Sequence, residues 1–285
     1  MASAALPAPG LGRMRREIAR RVESLLGADD VDWARADGDT GLFGPGSASW
    51  TVHGDFSVML IGGIAALLTQ MLHPEALAGV WDHSGFRRDM AGRLRRTARF
   101  VGVATFGATA EAEAAVARVR RVHARVRGHL PDGTPYSADD PRLLTWVHAA
   151  EVDAFLRAHL RYRDPWFPAS EQDRYLAEQA RLARMLGADD VPDSRAALGA
   201  YFRSIRPELR ADARSREVSR LMLAQPSPDL LTAPFNRVML RAGVDLLPAW
   251  ARRMHGLEQS APRSAAVRAG ALGVGAVLRW ALRPR

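Results

Sequence analysis

The sequence predicts an all-α fold, arranged as a single globular helical domain. Three observations predict it. Apolar residues recur every three or four positions through most of the chain, as helices with one buried face require. Gly, Pro and capping Asp or Ser residues mostly stand between these segments. Sustained period-two alternation is missing, apart from a short candidate ribbon at Ser49 to Val52.

Residues 1–11 are expected to be disordered, and 12–285 to form the single domain. The first helix is expected from Arg15 to Leu26, because Ile18, Val22, Leu25 and Leu26 share one face. Asp37 to Ser49 reads as a loop from its Gly, Pro and Ser content. Asp55 to Leu72 is apolar nearly all round, so this helix should be central. Gly62 and Gly63 at its middle each cost about 1 kcal/mol against Ala. Something must gain from close approach there, either a neighbouring helix or a flat cofactor. His73-Pro74 ends the helix, since a residue before Pro avoids the helical region.

Asp89 is placed to cap a helix from Met90 to Phe106, which Gly107 terminates. The next runs from Thr109 or Glu111 through Val126, closed by Gly128, with Pro131 to Pro135 as turn chemistry after it. Further helices are expected at Pro141 to Tyr162, Ser170 to Leu186, Ser194 to Ile205, Pro207 to Leu223, Pro234 to Leu246 and Ala265 to Leu282. Ser57 to Leu72 is short for a membrane span, and Arg268 and Arg279 interrupt the last helix. No transmembrane segment is therefore expected, and membrane contact is at most interfacial and weak.

Composition narrows the chemistry. There is no Cys, which excludes disulfides, thiol nucleophiles and Cys-ligated zinc or iron–sulfur clusters. All 40 Lys-or-Arg positions are Arg, and the net charge is +9. Arg offers a planar fork to carboxylates and phosphates, including cofactor propionates. Basic patches interleaved with aromatics are not evident, so nucleic acid is not an expected partner. The N-terminal residues lack a sustained apolar core, which gives a cytoplasmic expectation.

Two groups of residues could carry chemistry. Arg93, Arg96 and Thr97 lie three and four apart and share a helix face. Two guanidinium groups there invite an anion between them, and the Thr97 hydroxyl can hydrogen-bond oxygen; an Arg-rich solvated face has the same pattern. His123 can offer a neutral imidazole to iron, or be an ordinary core histidine. His148 and Glu151 form a His-x-x-Glu pair that, with His123, would make a haem-free site of two His and one carboxylate. Phosphate loops, nucleophile elbows and H-E-x-x-H are missing. A non-catalytic, Arg-rich helical binding protein is a further reading, with affinity for anionic surfaces.

The order His73-Pro74, Gly79-Val80, His83-Ser84, Gly92-Arg93-Leu94, Arg96-Thr97 and Phe106-Gly107 resembles the MpaB-type oxygenase family, to which the latex-clearing proteins (rubber oxygenases) belong. Val119 to His123, Gly128, Asp132-Gly133, Tyr136-Ser137-Ala138, Asp140-Pro141 and Leu144 to His148 continue the resemblance, which spans roughly residues 40–250. It implies a globin-like helical core holding haem b, and a dioxygen-dependent oxidation of a small apolar substrate, isoprenoid or lipid-like, such as cleavage of a C=C bond. In the latex-clearing branch one His is the proximal ligand and an Arg-x-x-Lys-Thr run lies on the distal side. Arg93, Arg96 and Thr97 match that run, with Arg96 in the Lys place. His123 matches the proximal ligand, and it is the candidate metal ligand. His148, Gly62 and Gly63 are further cofactor-contact candidates, and Glu75 is the nearest carboxylate in the region of the family's catalytic Glu. An Arg at position 96 stays protonated and cannot close the site by ligating iron, as a neutral Lys can.

Overall fold

The computed structural model describes residues 9–26, 38–226 and 232–283. Among them the chain is helical almost throughout, as the sequence predicts. In order the helices are α1 (Pro9–Leu26), α2 (Ala48–His53), α3 (Phe56–Gln70), α4 (Pro74–His83), α5 (Met90–Phe106) and α6 (Thr109–His123). After a small hairpin, β1 (Arg127–His129) with β2 (Pro135–Ser137), come α7 (Pro141–Tyr162), α8 (Ala169–Leu186) and α9 (Arg195–Ser204). The chain closes with α10 (Ala213–Leu223), α11 (Ala233–Leu246), α12 (Ala249–His255) and α13 (Ala261–Leu282).

The centre is α3 laid along α7, with α11 on the other side of α3 and α13 outside α11. Asp55 caps α3 by accepting from the Val58 amide, and Asp140 caps α7 by accepting from Arg142 and Leu143. Ile61, Leu68 and Leu72 interlock with Trp146, Met239 and Leu246, all fully buried. Trp146 Nε1 donates to the Gln70 carbonyl at 3.2 Å, and Gln70 Nε2 returns a bond to the Val147 carbonyl at 3.0 Å. These bonds fix the register of the two central helices.

The close approach implied by Gly62 is to a helix. A Cβ on Gly62 would lie 2.6 Å from Phe155 Cδ1 and 3.2 Å from Phe155 Cα. Phe155 fills the place where a flat cofactor was the other candidate, and it also stands 4.0 Å from the Cβ position of Gly63. Gly243 of α11 makes a similar approach from the other side, its Cβ position 2.4 Å from Ile64 Cγ2. Small residues thus let three helix axes come together.

Several sequence expectations change. Of the expected disordered segment, residues 9–11 begin α1, and residues 1–8 lie outside the described residues. The ribbon at Ser49 to Val52 is part of α2. Ser47 caps that helix, and the Ala48 and Ser49 amides donate to Glu178 of α8, a long-range contact that local β propensity does not foresee. The central helix does stop before Pro74 as expected, but the short helices α4 and α12, which follow at Pro74 and after Pro248, are not among the expected elements. Helix α6 ends at His123, and Arg127–Ser137 turns into the hairpin, with Gly133 at φ 87°.

Candidate functional site

Arg93 is built into the structure from its cap outward. Asp89 Oδ1 accepts from the Gly92 amide at 2.7 Å, and a side chain at Gly92 would collide with that carboxylate. One residue on, Arg93 is half-buried, and its Nη1 donates to Ser84 Oγ at 2.9 Å. No carboxylate pairs with it among the described residues. Burial, and then the charge of Arg96, lower its pKa below the ordinary arginine value. Its guanidinium borders a small cavity of about 10 Å³, lined by Leu67, Met71, Val80, Met90, Val218 and Met222, every one apolar.

The three distal candidates do not share one environment. Arg96 is exposed and pairs with Asp89 at 3.5 Å. Thr97 is exposed, and its hydroxyl donates to the Arg93 carbonyl at 3.2 Å. Only Arg93 reaches the cavity. Glu75 lies in the first turn of α4, away from the cavity lining, where burial and Asp140 raise its pKa against the opposing charge of Arg142.

His123 is the last residue of α6 and is half-buried. Burial lowers its pKa, with the Asp139 carboxylate opposing, so the ring favours the neutral form. The hairpin that follows packs on α4, while α6 itself lies against α5 and α8. Gly128 lets the Tyr136 ring cross it closely, with Tyr136 Oη 2.7 Å from where a Cβ would stand. Tyr136 then donates to Asp82 of α4 at 2.7 Å, and burial with that carboxylate pushes its pKa up to about 12. His83 of α4 meets the Arg127 carbonyl at 3.2 Å. Gly128 and Tyr136 thus fasten the hairpin to α4.

His148 lies on α7. Its Nε2 is buried without a hydrogen-bond partner, and burial, with Arg184, lowers its pKa to about 4. Burial raises Glu151 to about 7 and, against the charge of Arg157, Asp153 to about 6. The haem-free site of His123, His148 and Glu151 is not assembled. Among the described residues no three His, Asp or Glu side chains gather as a metal-binding group. The reason is placement: His123 ends α6, while His148 and Glu151 are held on α7.

Two histidines that the sequence left without roles are central. His53 is buried, with Nδ1 2.8 Å from Thr105 Oγ1 and Nε2 3.0 Å from Tyr175 Oη. Burial, then the electrostatic effect of His159, lowers its pKa to about 3. His159 is buried against Phe167, and neither ring nitrogen has a partner. A usable signal existed: His148, Val152, Phe155 and His159 follow one face of α7 at helical spacing. His73 also finds a place, its ring 5.9 Å from Trp146 and its pKa lowered to about 4, by burial first and Arg142 next.

Among the described residues, a predominantly helical scaffold thus sets the Arg93 guanidinium, without a carboxylate partner, beside apolar side chains, and keeps several histidines buried around its core. The family described as "ER-bound oxygenase mpaB/B'/Rubber oxygenase, catalytic domain" matches residues 50–280, and the chain belongs to that family. It is an oxygenase catalytic domain, of oxidoreductase class, that uses a substrate and oxygen. Searches of curated proteins and of solved structures returned no match.

Proposed function

We propose that this chain is a haem b-dependent oxygenase of the dioxygenase type that oxidises a small apolar substrate, isoprenoid or lipid-like, cleaving a C=C bond. The observation that carries the reading is Arg93, a half-buried guanidinium without a carboxylate on a wall of otherwise apolar side chains. That lining matches a hydrocarbon chain in polarity, while the cavity as it stands, about 10 Å³, is far smaller than a ligand site, so the helices around it would have to part to admit substrate.

The residues present fit the cofactor in donor chemistry. An imidazole ligates iron through an unprotonated nitrogen, and burial favours that form at His123. Haem, when bound, would supply the activation of dioxygen. His123 would hold it from the end of α6. Arg93 would stabilise negative charge developing on oxygen, at a site where apolar neighbours exclude water and strengthen the effect. Arg96 remains protonated and pairs with Asp89, so it would leave the iron open.

The test is spectroscopic and then catalytic. Protein expressed with iron and a haem precursor should show a Soret band that shifts on dithionite and carbon monoxide. Isoprenoid alkenes incubated with it and dioxygen should give carbonyl products. A protein that stays colourless after haem titration would overturn the reading.

A further inference from the structure

The last helix presents a surface that neither the oxygenase assignment nor the haem reading uses. Helix α13 buries Ser264, Val267, Ala271, Gly275 and Leu278 along one stripe, packed on α11 and α3. Its two interior arginines look from the sequence like interruptions of an apolar run. In the structure both reach back to carboxylates of the body. Arg268 Nε donates to Asp245 Oδ2 at 2.7 Å, and Arg279 Nη1 donates to Asp55 Oδ2 at 2.9 Å. Asp245 and Asp55 are both buried.

With those charges answered from the inner edge, the outward face is free of charge along most of the helix. Ala265, Ala269, Leu272, Ala276, Val277 and Trp280 follow it at helical spacing. Leu272 is 45% exposed and Val277 is 51% exposed. The helix is long and apolar enough to cross a bilayer by length and composition. Its inner stripe and its two ion pairs commit it lengthwise to the body, which is the arrangement of a helix lying on a surface. Helix α1 packs beside its C-terminal end, where Arg15 donates to the Ala281 and Arg283 carbonyls. There α1 exposes Arg13 and Arg16, and Trp280 is also exposed. An apolar helix face ending in Trp, flanked by arginines on a chain of net charge +9, complements an anionic bilayer.

We propose that the outer face of α13, with the adjoining arginines of α1, docks this protein on anionic lipid membranes, the apolar side chains entering the headgroup boundary. A second copy of the chain is the competing occupant, and charge argues against it, because arginines would meet arginines. The proposal does not depend on haem.

The test is co-sedimentation of the full chain with vesicles of phosphatidylglycerol and phosphatidylcholine, against phosphatidylcholine alone, with light scattering of the free protein. The expected result is binding at least tenfold stronger to the anionic vesicles, weakened by salt. The L272S/V277S variant should bind at least tenfold more weakly, and R13Q/R16Q should lose most of the preference for anionic lipid. These positions are exposed, so the variants should keep the wild-type circular dichroism. His123→Ala should bind vesicles like the wild type, which separates this proposal from the haem reading. Equal binding by L272S/V277S, or no binding to anionic vesicles, would overturn it. So would a dimer in solution that L272S/V277S converts to monomer.

Discussion

Replacing Asp245 by Ala should be among the most destabilising single changes outside the apolar core. Its side chain is fully buried near the C-terminal end of α11 and receives three arginines: Arg268 at 2.7 Å, Arg161 at 3.2 Å and Arg252 at 3.4 Å. Burial alone would raise its pKa, but hydrogen bonds from Arg268 and Ser264 and the charges of Arg268 and Arg161 outweigh it and hold the carboxyl below its ordinary range. Removing one partner of a buried ion pair costs about 3–5 kcal/mol, mostly because the remaining charges are left unanswered. Here the three arginine side chains keep 22 to 45% exposure, so water recovers part of that cost. The lower end, about 3 kcal/mol, is the better figure, which for a chain of this size lowers Tm by about 6–12 °C. Asp245→Asn keeps an acceptor and should lose about half as much. Thermal unfolding followed by circular dichroism at pH 7 reads both. A Tm for Asp245→Ala within about 2 °C of wild type would refute the view that this carboxylate locks α13 and α7 to α11.

Other predictions concern protons and positioning. Glu151 has a folded pKa raised to about 7 from an ordinary 4.5, so its ionised form is penalised in the folded state. That penalty is full above pH 7 and vanishes below about 4.5; Glu151→Gln should raise Tm at pH 8 and have little effect at pH 4. His53 runs the other way: its pKa falls from 6.5 to about 3, so its contribution is intact above 6.5 and is lost progressively as pH falls toward 3. A Tm profile of His53→Gln should therefore be flatter across that acid window than that of wild type. Tyr136→Phe removes the bond to Asp82 and should cost about 1 kcal/mol in urea unfolding; an unchanged midpoint would mean that this bond adds nothing to stability. Thr97→Val should keep haem and leave the oxidation rate unchanged, because among the described residues the exposed hydroxyl bonds only the Arg93 carbonyl; a slowed rate would return Thr97 to the reaction.

The parts of this fold governed by local chemistry were legible in the sequence. Asp55, Asp89 and Asp140 cap the helices they precede, and the apolar run after Asp55 forms the central helix. What the sequence hid depends on partners far along the chain. Ala48 and Ser49 become helical with Glu178 as acceptor, and Gly62 needs Phe155 to explain it. Arg268 and Arg279 read as breaks in an apolar run until Asp245 and Asp55 meet them. The candidate site divides the same way. Helix spacing puts Arg93, Arg96 and Thr97 together, but only packing against α3, α4 and α10 decides that Arg93 alone borders the cavity. His53 and His159 escaped notice because their neighbours come from separate elements.

We propose that His123 carries haem iron in this oxygenase. Haem content by absorption spectroscopy, measured in parallel on wild-type protein and His123→Ala from the same expression, tests it most directly. Wild-type protein should hold stoichiometric haem and the variant should lose nearly all of it, with circular dichroism unchanged. A variant that retains full haem, or a wild type that binds none, would contradict it.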